Sequence, residues 1–496
     1  MISAFKVDFL NYLCLMSTEI KSLAPESIWK NFADLNAVPR ASKKEERVIE
    51  FIKAFGNRLG LETFEDDIRN VIIRKPATPG MESRTPIVLQ SHLDMVHQKN
   101  NDTVFDFDSE GIKMFVEGDW VKAKGTTLGA DNGIGVAAIM SILESKEIAH
   151  PAIDALFTID EETGMTGALG LKGGILKGRI LLNLDTENDS EIDIGCAGGI
   201  DVTATRNYTE EKTPDGYSGL RISVKGLNGG HSGMDIIKGL GNANKIMNRL
   251  LYSADVRVAE INGGSLRNAI PRESVAVVAV ADLAAVEKAL SQTAADIKAE
   301  FKTMEPGLDI SWEKVVAPAM VMLQKHQEEL IRMIYGAHNG VYRMSADIKD
   351  LVETSNNVAK VSVNKGEIMI ACLTRSSVES SKMDLAQALK CVFEACGCNV
   401  SFSGSYPGWT PNVNSPILKV MTGLYEKMFG HKAEVVACHA GLECGILGSN
   451  YPGMDMISFG PTILGAHSPD ERVCISSVQK FWKYLQEILK EIPVAQ

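Results

Sequence analysis

Two histidines and a set of acidic residues stand at the ends of short apolar runs, and donors of those types suit a divalent cation. His92 and Asp94 lie in Ser91-His92-Leu93-Asp94-Met95-Val96, directly after the apolar run 87–89. Residues two apart on an extended chain share a face. A carboxylate at 94 can therefore accept the second N–H of an imidazole at 92 and set its tautomer. The same pair also fits an ordinary surface histidine with an acidic neighbour. Asp131 sits at the centre of the glycine-rich turn Thr126-Thr127-Leu128-Gly129-Ala130-Asp131-Asn132-Gly133-Ile134-Gly135. Such a turn can cradle phosphate, but no G-K-[ST] follows and a central carboxylate repels an anion. Two readings stay open: Asp131 caps the following helix, or its two oxygens bridge two cations.

Asp160, Glu161 and Glu162 follow the apolar run 155–159. Three successive carboxylates repel one another unless solvent or cations screen them. They read either as a solvated loop or as a site in which one glutamate binds metal while its neighbour acts as general base. Asp185 closes another apolar run within Asn183-Leu184-Asp185-Thr186-Glu187. An EF-hand starting there is excluded, because its sixth position is Ser190 rather than Gly and its twelfth is Cys196 rather than Glu. Far downstream, Gly465-Ala466-His467-Ser468-Pro469 follows the strand-like stretch 454–459. Two ions sharing one carboxylate would make a hydrolytic site, polarising a carbonyl and generating hydroxide at neutral pH.

Those residues need a scaffold. Between about 26 and 195 helix and strand signals alternate: helices at 45–59 and 133–145, buried strands at 70–73, 87–89, 155–159 and 180–184. Open α/β sheets place their sites just after such strands. The middle of the chain mixes alternating stretches (219–224, 275–281, 361–372) with amphipathic helices (286–301, 326–335, 383–395). That pattern predicts α+β, with helices on one face of an antiparallel sheet. The stretches 275–301 and 367–393 both read as strand then helix, a faint internal repeat. The α/β pattern then returns, with helices at 417–429 and 476–492. The chain thus reads as a catalytic domain in two parts, 1–198 and 408–496, with a lid inserted at 199–407.

Composition bounds the partners. A chain of 496 residues is too long for one ordinary core. Its net charge of −12 argues against nucleic acid and against an anionic membrane surface. No apolar run is long enough to span a bilayer. Nine scattered cysteines, an odd number, predict reduced thiols and a cytoplasmic location. Cys396 and Cys398 form a C-x-C with no second pair at zinc-finger spacing. The apolar start, 1–15, is interrupted by Asp8 and Asn11 and no A-x-A site follows, so it reads as an extension before Met16 rather than a signal peptide.

In order and spacing, the H-x-D, G-A-D-N-G, D-E-E-T-G, N-L-D and G-x-H-S elements resemble the M20 metallopeptidase family. His439-Ala440-Gly441-Leu442-Glu443-Cys444-Gly445 and Ser458-Phe459-Gly460-Pro461 resemble its Xaa-His dipeptidase branch. The resemblance implies a zinc-peptidase-like α/β domain, a mixed sheet between helices, with an inserted α+β lid of doubled size. It implies two divalent metals, zinc with manganese or cobalt as alternatives, held by His92, Asp131, Glu162, Asp185 and His467. Asp131 would bridge, and each histidine would serve one metal. Glu161 would be the general base and Asp94 would orient His92. His231, in Gly229-Gly230-His231-Ser232-Gly233, would stabilise the oxyanion. Asn268 and Arg375 would bind substrate, Arg375 clamping a free carboxylate, and Glu443 would lie near it. The Asp131–Asn132 peptide is often cis in this family. The expected activity is that of a dipeptidase whose substrates include Xaa-His. An acylated amino acid or a tripeptide is the alternative substrate, and a non-catalytic metal-binding protein the alternative class. The expected partner is a small peptide, and a homodimer is left open.

Overall fold

The structure is a computed structural model that describes residues 19–495, so the stretch 1–15 and the start at Met16 lie outside the described residues. The chain divides into two compact units. One runs up to Gly195 and resumes with Pro411–Ala437 and the segment from Ile446 onward. The other comprises Cys196–Thr410 and Cys438–Gly445. The insertion expected at 199–407 falls inside the second unit, which also takes a short segment from the returning chain.

The first unit is built on a mixed sheet. Its strands are β1 (Glu62–Glu65), β2 (Val71–Lys75), β3 (Ile87–His92), β4 (Ile153–Thr158), β5 (Ile180–Asn183), β6 (Glu191–Cys196), β7 (Glu434–Cys438) and β8 (Asp455–Ser458), in the order β1-β2-β4-β3-β5-β8-β6-β7. The central four, β4, β3, β5 and β8, are mutually parallel. Every residue of β3 and β4 is buried. Continuous apolar runs such as Ile87-Val88-Leu89 suit strands covered on both faces. Helix Ala130–Glu144 is buried on almost every side and packs against helix Glu26–Asn36 and β3.

A chain of buried polar side chains ties the strand ends together. Gln90 Nε2 donates to Thr158 Oγ1 (3.1 Å), and Asn183 Nδ2 donates to Gln90 Oε1 (2.5 Å). Ser458 Oγ donates to Asn183 Oδ1 and lies 2.8 Å from Thr186 Oγ1, which in turn is 2.7 Å from Asp193 Oδ2. The network crosses β4, β3, β5, β8 and β6 just beneath the edge where the candidate ligands emerge. Its members are buried, so each hydrogen bond avoids the cost of an unpaired polar group.

The second unit carries an antiparallel sheet built from the same pattern twice. The first half reads Ser218–Lys225, helix Ala243–Ser253, Arg257–Gly263, Ser274–Val280, helix Leu283–Glu300, Asp309–Val315. The second reads Gly198–Asn207, helix Gln324–Gly336, Val352–Asn364, Glu367–Ser376, helix Glu379–Ala395, Asn399–Tyr406. The spatial order of strands in one half reverses that in the other, and the halves meet where Ile261, Asn262 and Gly263 pair with Val363, Ser362 and Val361. The faint repeat at 275–301 and 367–393 is the third strand and second helix of each half. Leu220, Ile222 and Val224 alternate inward along their strand and join Leu250, Leu290, Leu389 and Phe393 from the helices in one core. That alternation leaves the other face of the strand to solvent.

Among the described residues no disulfide joins two cysteines, and no helix is long and apolar enough to cross a membrane.

Candidate metal centre

Parallel strands end on one edge, and that edge gathers the acidic and imidazole groups. His92 is the last residue of β3, Glu161 and Glu162 follow β4, and Asp185 follows β5. Asp131 enters from the start of helix Ala130–Glu144, and His467 from the loop after β8. Asp131 faces both histidines, with Oδ1 3.1 Å from His92 Nε2 and Oδ2 3.1 Å from His467 Nε2. Asp185 Oδ1 lies 3.5 Å from His92 Nε2, and Glu162 Oε2 lies 2.9 Å from His467 Nε2. Two groups suited to a metal ion therefore share Asp131: His92–Asp131–Asp185 and Asp131–Glu162–His467, each with donor atoms within 4.8 Å of one another. Glu161 joins His92 and Glu162 in a third. The donors fit two divalent cations. Glu162 Oε1 is buried without a hydrogen-bond partner, which is costly unless something positive meets it.

Electrostatics point the same way. Burial opposes a charge on His92, but Asp185, Asp131 and Asp94 outweigh it and hold its pKa well above the ordinary imidazole value. Burial also opposes ionisation of Asp131, yet hydrogen bonds from His467 and His92 keep it below the usual carboxylate range. Hydrogen bonds to Asp131 and Glu162 push His467 up to about 11. Burial pushes Glu162 up, and the charge of Asp131 adds to it. Glu187 is driven to about 8 by burial, then by Asp131 and Asp185. Histidines this basic beside carboxylates this reluctant describe a site with excess negative charge, in which protons and metal ions compete.

The other nitrogen of His92 faces Asp94: Nδ1 lies 3.1 Å from its carbonyl oxygen and 3.4 Å from Oδ1. The Asp94 carboxylate also accepts the backbone N–H groups of Glu161 (3.0 Å) and Glu162 (3.2 Å) and the hydroxyl of Ser42 (2.8 Å). One buried acid therefore sets both the imidazole and the turn bearing the two glutamates. Glu45, which the sequence did not single out, and Asp160, the first of the three successive acids, sit with Asp94 in a fully buried trio. Hydrogen bonds satisfy it: Glu45 Oε1 accepts from the amides of Lys43 and Asp160, and Asp160 from the hydroxyls of Thr163 and Thr166. The N-cap of helix Ala130–Glu144 is Gly129, not Asp131, whose side chain goes to the histidines. The Asp131–Asn132 peptide is cis.

The remaining candidates belong to the second unit. Arg375 is the penultimate residue of strand Glu367–Ser376, almost fully buried; one terminal nitrogen donates to Tyr406 Oη (2.7 Å) and the other lies 3.4 Å from His231 Nε2. Its Nε has no partner. His231 Nδ1 accepts the amides of Gly233 (3.3 Å) and Met234 (3.1 Å), while its Nε2 faces the Arg375 guanidinium, which can only donate. Burial lowers its pKa, and Arg375 lowers it further. Asn268 is exposed in the hairpin after Arg257–Gly263, and its carbonyl accepts the amide of Ser232 (2.8 Å), pinning the His231 loop. Glu443 is buried at the start of helix Glu443–Asn450. In the sequence His439 stands out only as part of the 439–445 signature. It is buried beside Ser355 Oγ (2.8 Å from Nε2) and pushed to about 3 by burial and Arg375. Tyr406 carried no signal in the sequence.

This fold, with two cation-suited groups hinged on one aspartate, is that of a peptidase: the chain belongs to peptidase family M20/M25/M40, whose family model matches residues 88–491. It is 44% identical over 482 residues to the cytosol non-specific dipeptidase of Escherichia coli (strain K12), covering 96% of this chain and 99% of that protein. The crystal structure of aminoacylhistidine dipeptidase from Vibrio alginolyticus matches with a TM-score of 0.90 at 43% identity, over 96% of this chain and 99% of that one. A tripeptidase from Staphylococcus aureus shares the fold, with a TM-score of 0.56 at 16% identity over 95% and 99% of the two chains.

Proposed function

We propose that the chain is a cytoplasmic, metal-dependent dipeptidase that cleaves dipeptides with a free C-terminal carboxylate, Xaa-His among them. The observation that carries this reading is Asp131, which offers one oxygen to each of two histidine–carboxylate groups. In this reading His92, Asp131, Glu162, Asp185 and His467 hold two ions. Zinc is our choice, and manganese or cobalt suits the same donors. When bound, the ions supply polarisation of the scissile carbonyl and a lowered pKa for water.

Glu161 takes a proton from the attacking water and passes it to the departing amine. Asp94 supports that role by holding the Glu161 amide and facing His92. His231 donates to the oxyanion. Arg375 presents two terminal nitrogens to the substrate carboxylate, with Tyr406 braced against one of them. Asn268 and Glu443 complete the substrate contacts we assign. The names of the two relatives above 40% identity, a non-specific dipeptidase and an aminoacylhistidine dipeptidase, support the substrate class.

The test is to strip the protein of metal, restore zinc or manganese, and follow hydrolysis of Ala-His, β-Ala-His, an N-acetyl amino acid and a tripeptide. Metal-dependent cleavage of the dipeptides alone is expected. Failure on every dipeptide with both metals would overturn the reading.

A further inference from the structure

Helix Ala130–Glu144 begins at Gly129, which has no side chain to cap it, and the first amides of a helix need acceptors. Glu471 supplies them from 340 residues along the chain. Its Oε2 accepts the N–H groups of Leu128 (2.7 Å) and Gly129 (2.9 Å), and its Oε1 those of Ala130 (2.7 Å) and Asp131 (3.2 Å). Four consecutive amides thus converge on one carboxylate that is only 2% exposed. Arg40, 1% exposed, takes the other side of the turn. One terminal nitrogen donates to the carbonyl of Gly129 (2.5 Å), the other to the carbonyls of Leu93 (3.0 Å) and Asp94 (3.2 Å). Gly129 is required between them: its φ is +69°, and a Cβ there would lie 2.5 Å from the Arg40 guanidinium and 2.7 Å from the Met95 sulfur.

We propose that Glu471 and Arg40 are positioning residues, a buried two-sided clamp that holds the Asp131 turn between the His92 strand and the His467 loop. The proposal rests on the metal reading of this site and extends it to residues that touch no ion. Glu471 closes the turn that begins at Ser468, the residue after His467: its amide donates to the Ser468 carbonyl (3.0 Å), so the His467 loop and the clamp are one piece. Arg40 grips the same Asp94 carbonyl that faces His92 Nδ1. Each histidine is therefore linked to the Asp131 backbone through one buried charge. A local N-cap would satisfy one or two amides of the helix. It would tie the turn to neither histidine, whereas the distant pair ties it to both. Hydrogen bonds to an ionised group are roughly twice as strong as neutral ones. Glu471 is also the first of the carboxylates that offset the burial of the Arg40 charge, ahead of Asp94, Asp131 and Glu162.

The test is Glu471→Gln, which keeps the shape but removes the charge and turns an NH2 group toward amides that need an acceptor. We expect the folded, metal-stripped variant to bind two equivalents of Co2+ or Zn2+, at least one of them about 10–100-fold more weakly than wild type. The visible absorption of the Co2+-loaded protein should change, and kcat should fall more than KM rises. A loss of stability alone would leave the Co2+ spectrum and the affinities unmoved at temperatures well below melting. Unchanged affinity together with an unchanged spectrum would therefore overturn the proposal. Glu471→Asp should restore part of the affinity. Arg40→Lys, which cannot reach three carbonyls at once, carries the same test with the same two outcomes should Glu471→Gln not fold. Wild-type protein that binds neither ion would sink the metal reading itself, and that is scored on wild type alone.

Discussion

The two units hold their polar groups in different ways. In the first, three of the candidate ligands leave the ends of parallel strands, Asp131 comes from a helix start and His467 from a loop, and the set is tied from beneath. The Gln90–Asn183–Ser458–Thr186 chain links the strands, Asp94 holds two glutamate amides, and Glu471 holds four more. In the second, His231 rests on a two-residue strand, Asn268 on an exposed hairpin, and only Arg375 on a long strand. Over-determined positions suit metal geometry, where a small displacement costs much. Loop-borne positions suit groups that meet a variable substrate. In the proposed reading the difference divides the labour: the first unit for the metals and the general base, the second for the substrate and, through His231, the oxyanion.

Mutation can break that division. Glu161→Ala has the largest expected effect, a fall in kcat of about 10²–10⁴ from loss of a general base. Bound metal, measured by elemental analysis, should stay at the wild-type amount, since Glu161 is not among the five ligands we assign. A variant that loses its metal would make Glu161 a ligand and the division wrong. Next is Arg375→Ala, which should raise KM for dipeptides by about 10–100-fold, the worth of a charged hydrogen-bonded contact. Its metal content should be unchanged, and N-acetylated or C-terminally amidated dipeptides should separate recognition of the two ends. A dipeptide amide cleaved by wild type as well as the free acid would remove Arg375 from its assigned role.

The buried chain in the first unit makes a prediction about pH. Burial pushes Asp193 up to about 7. With its proton in place, each oxygen in the series Asp193, Thr186, Ser458 and Asn183 can meet a hydrogen. Once Asp193 ionises, the Thr186 hydroxyl must turn to it, and the Thr186–Ser458 contact loses its proton. Because the folded pKa lies above the ordinary carboxylate value, the stability this group contributes is full below that value. It is lost as pH rises through about 7. Chemical denaturation between about pH 4 and 7 should show wild type losing on the order of 2 kcal/mol relative to Asp193→Asn, whose amide donates to Thr186 at every pH. Parallel pH dependences of the two proteins would sink the argument.

How much of this was legible in the sequence follows from what each feature depends on. The runs 87–89, 155–159 and 180–184 announced their strands, and the acids and histidine beyond them announced the edge where they gather. Local pattern sufficed because ligand and strand are adjacent in the chain. The doubled sheet left only a faint trace, since its first half is inserted between the first strand and first helix of the second. Arg40, Glu471 and Tyr406 were invisible for a different reason. Each acts on backbone or side chains far away in sequence, and a lone charged or aromatic residue carries no mark of where it will be buried. Glu471 alone had a hint, four places beyond His467.

The repeated sheet offers the smallest effect and the cleanest separation of scaffold from chemistry. The two halves place equivalent helices after equivalent strands, yet they start them differently. Asp282 caps Leu283–Glu300 by accepting the amide of Ala285 (3.0 Å), whereas Val378 precedes Glu379–Ala395 with no side-chain cap. Asp282 is exposed and makes its bond with its own helix, so Asp282→Ala should cost about 1 kcal/mol in denaturant unfolding. Val378 holds the extended conformation a capping residue needs, and Val378→Asp should recover a few tenths of that figure by supplying the missing acceptor. Neither change touches an assigned contact, so kcat and KM for Ala-His should stay at wild-type values in both. If Asp282→Ala instead altered kcat, the first half of the sheet would be transmitting its stability to the chemistry, and the division between the units would have to be redrawn around the repeat.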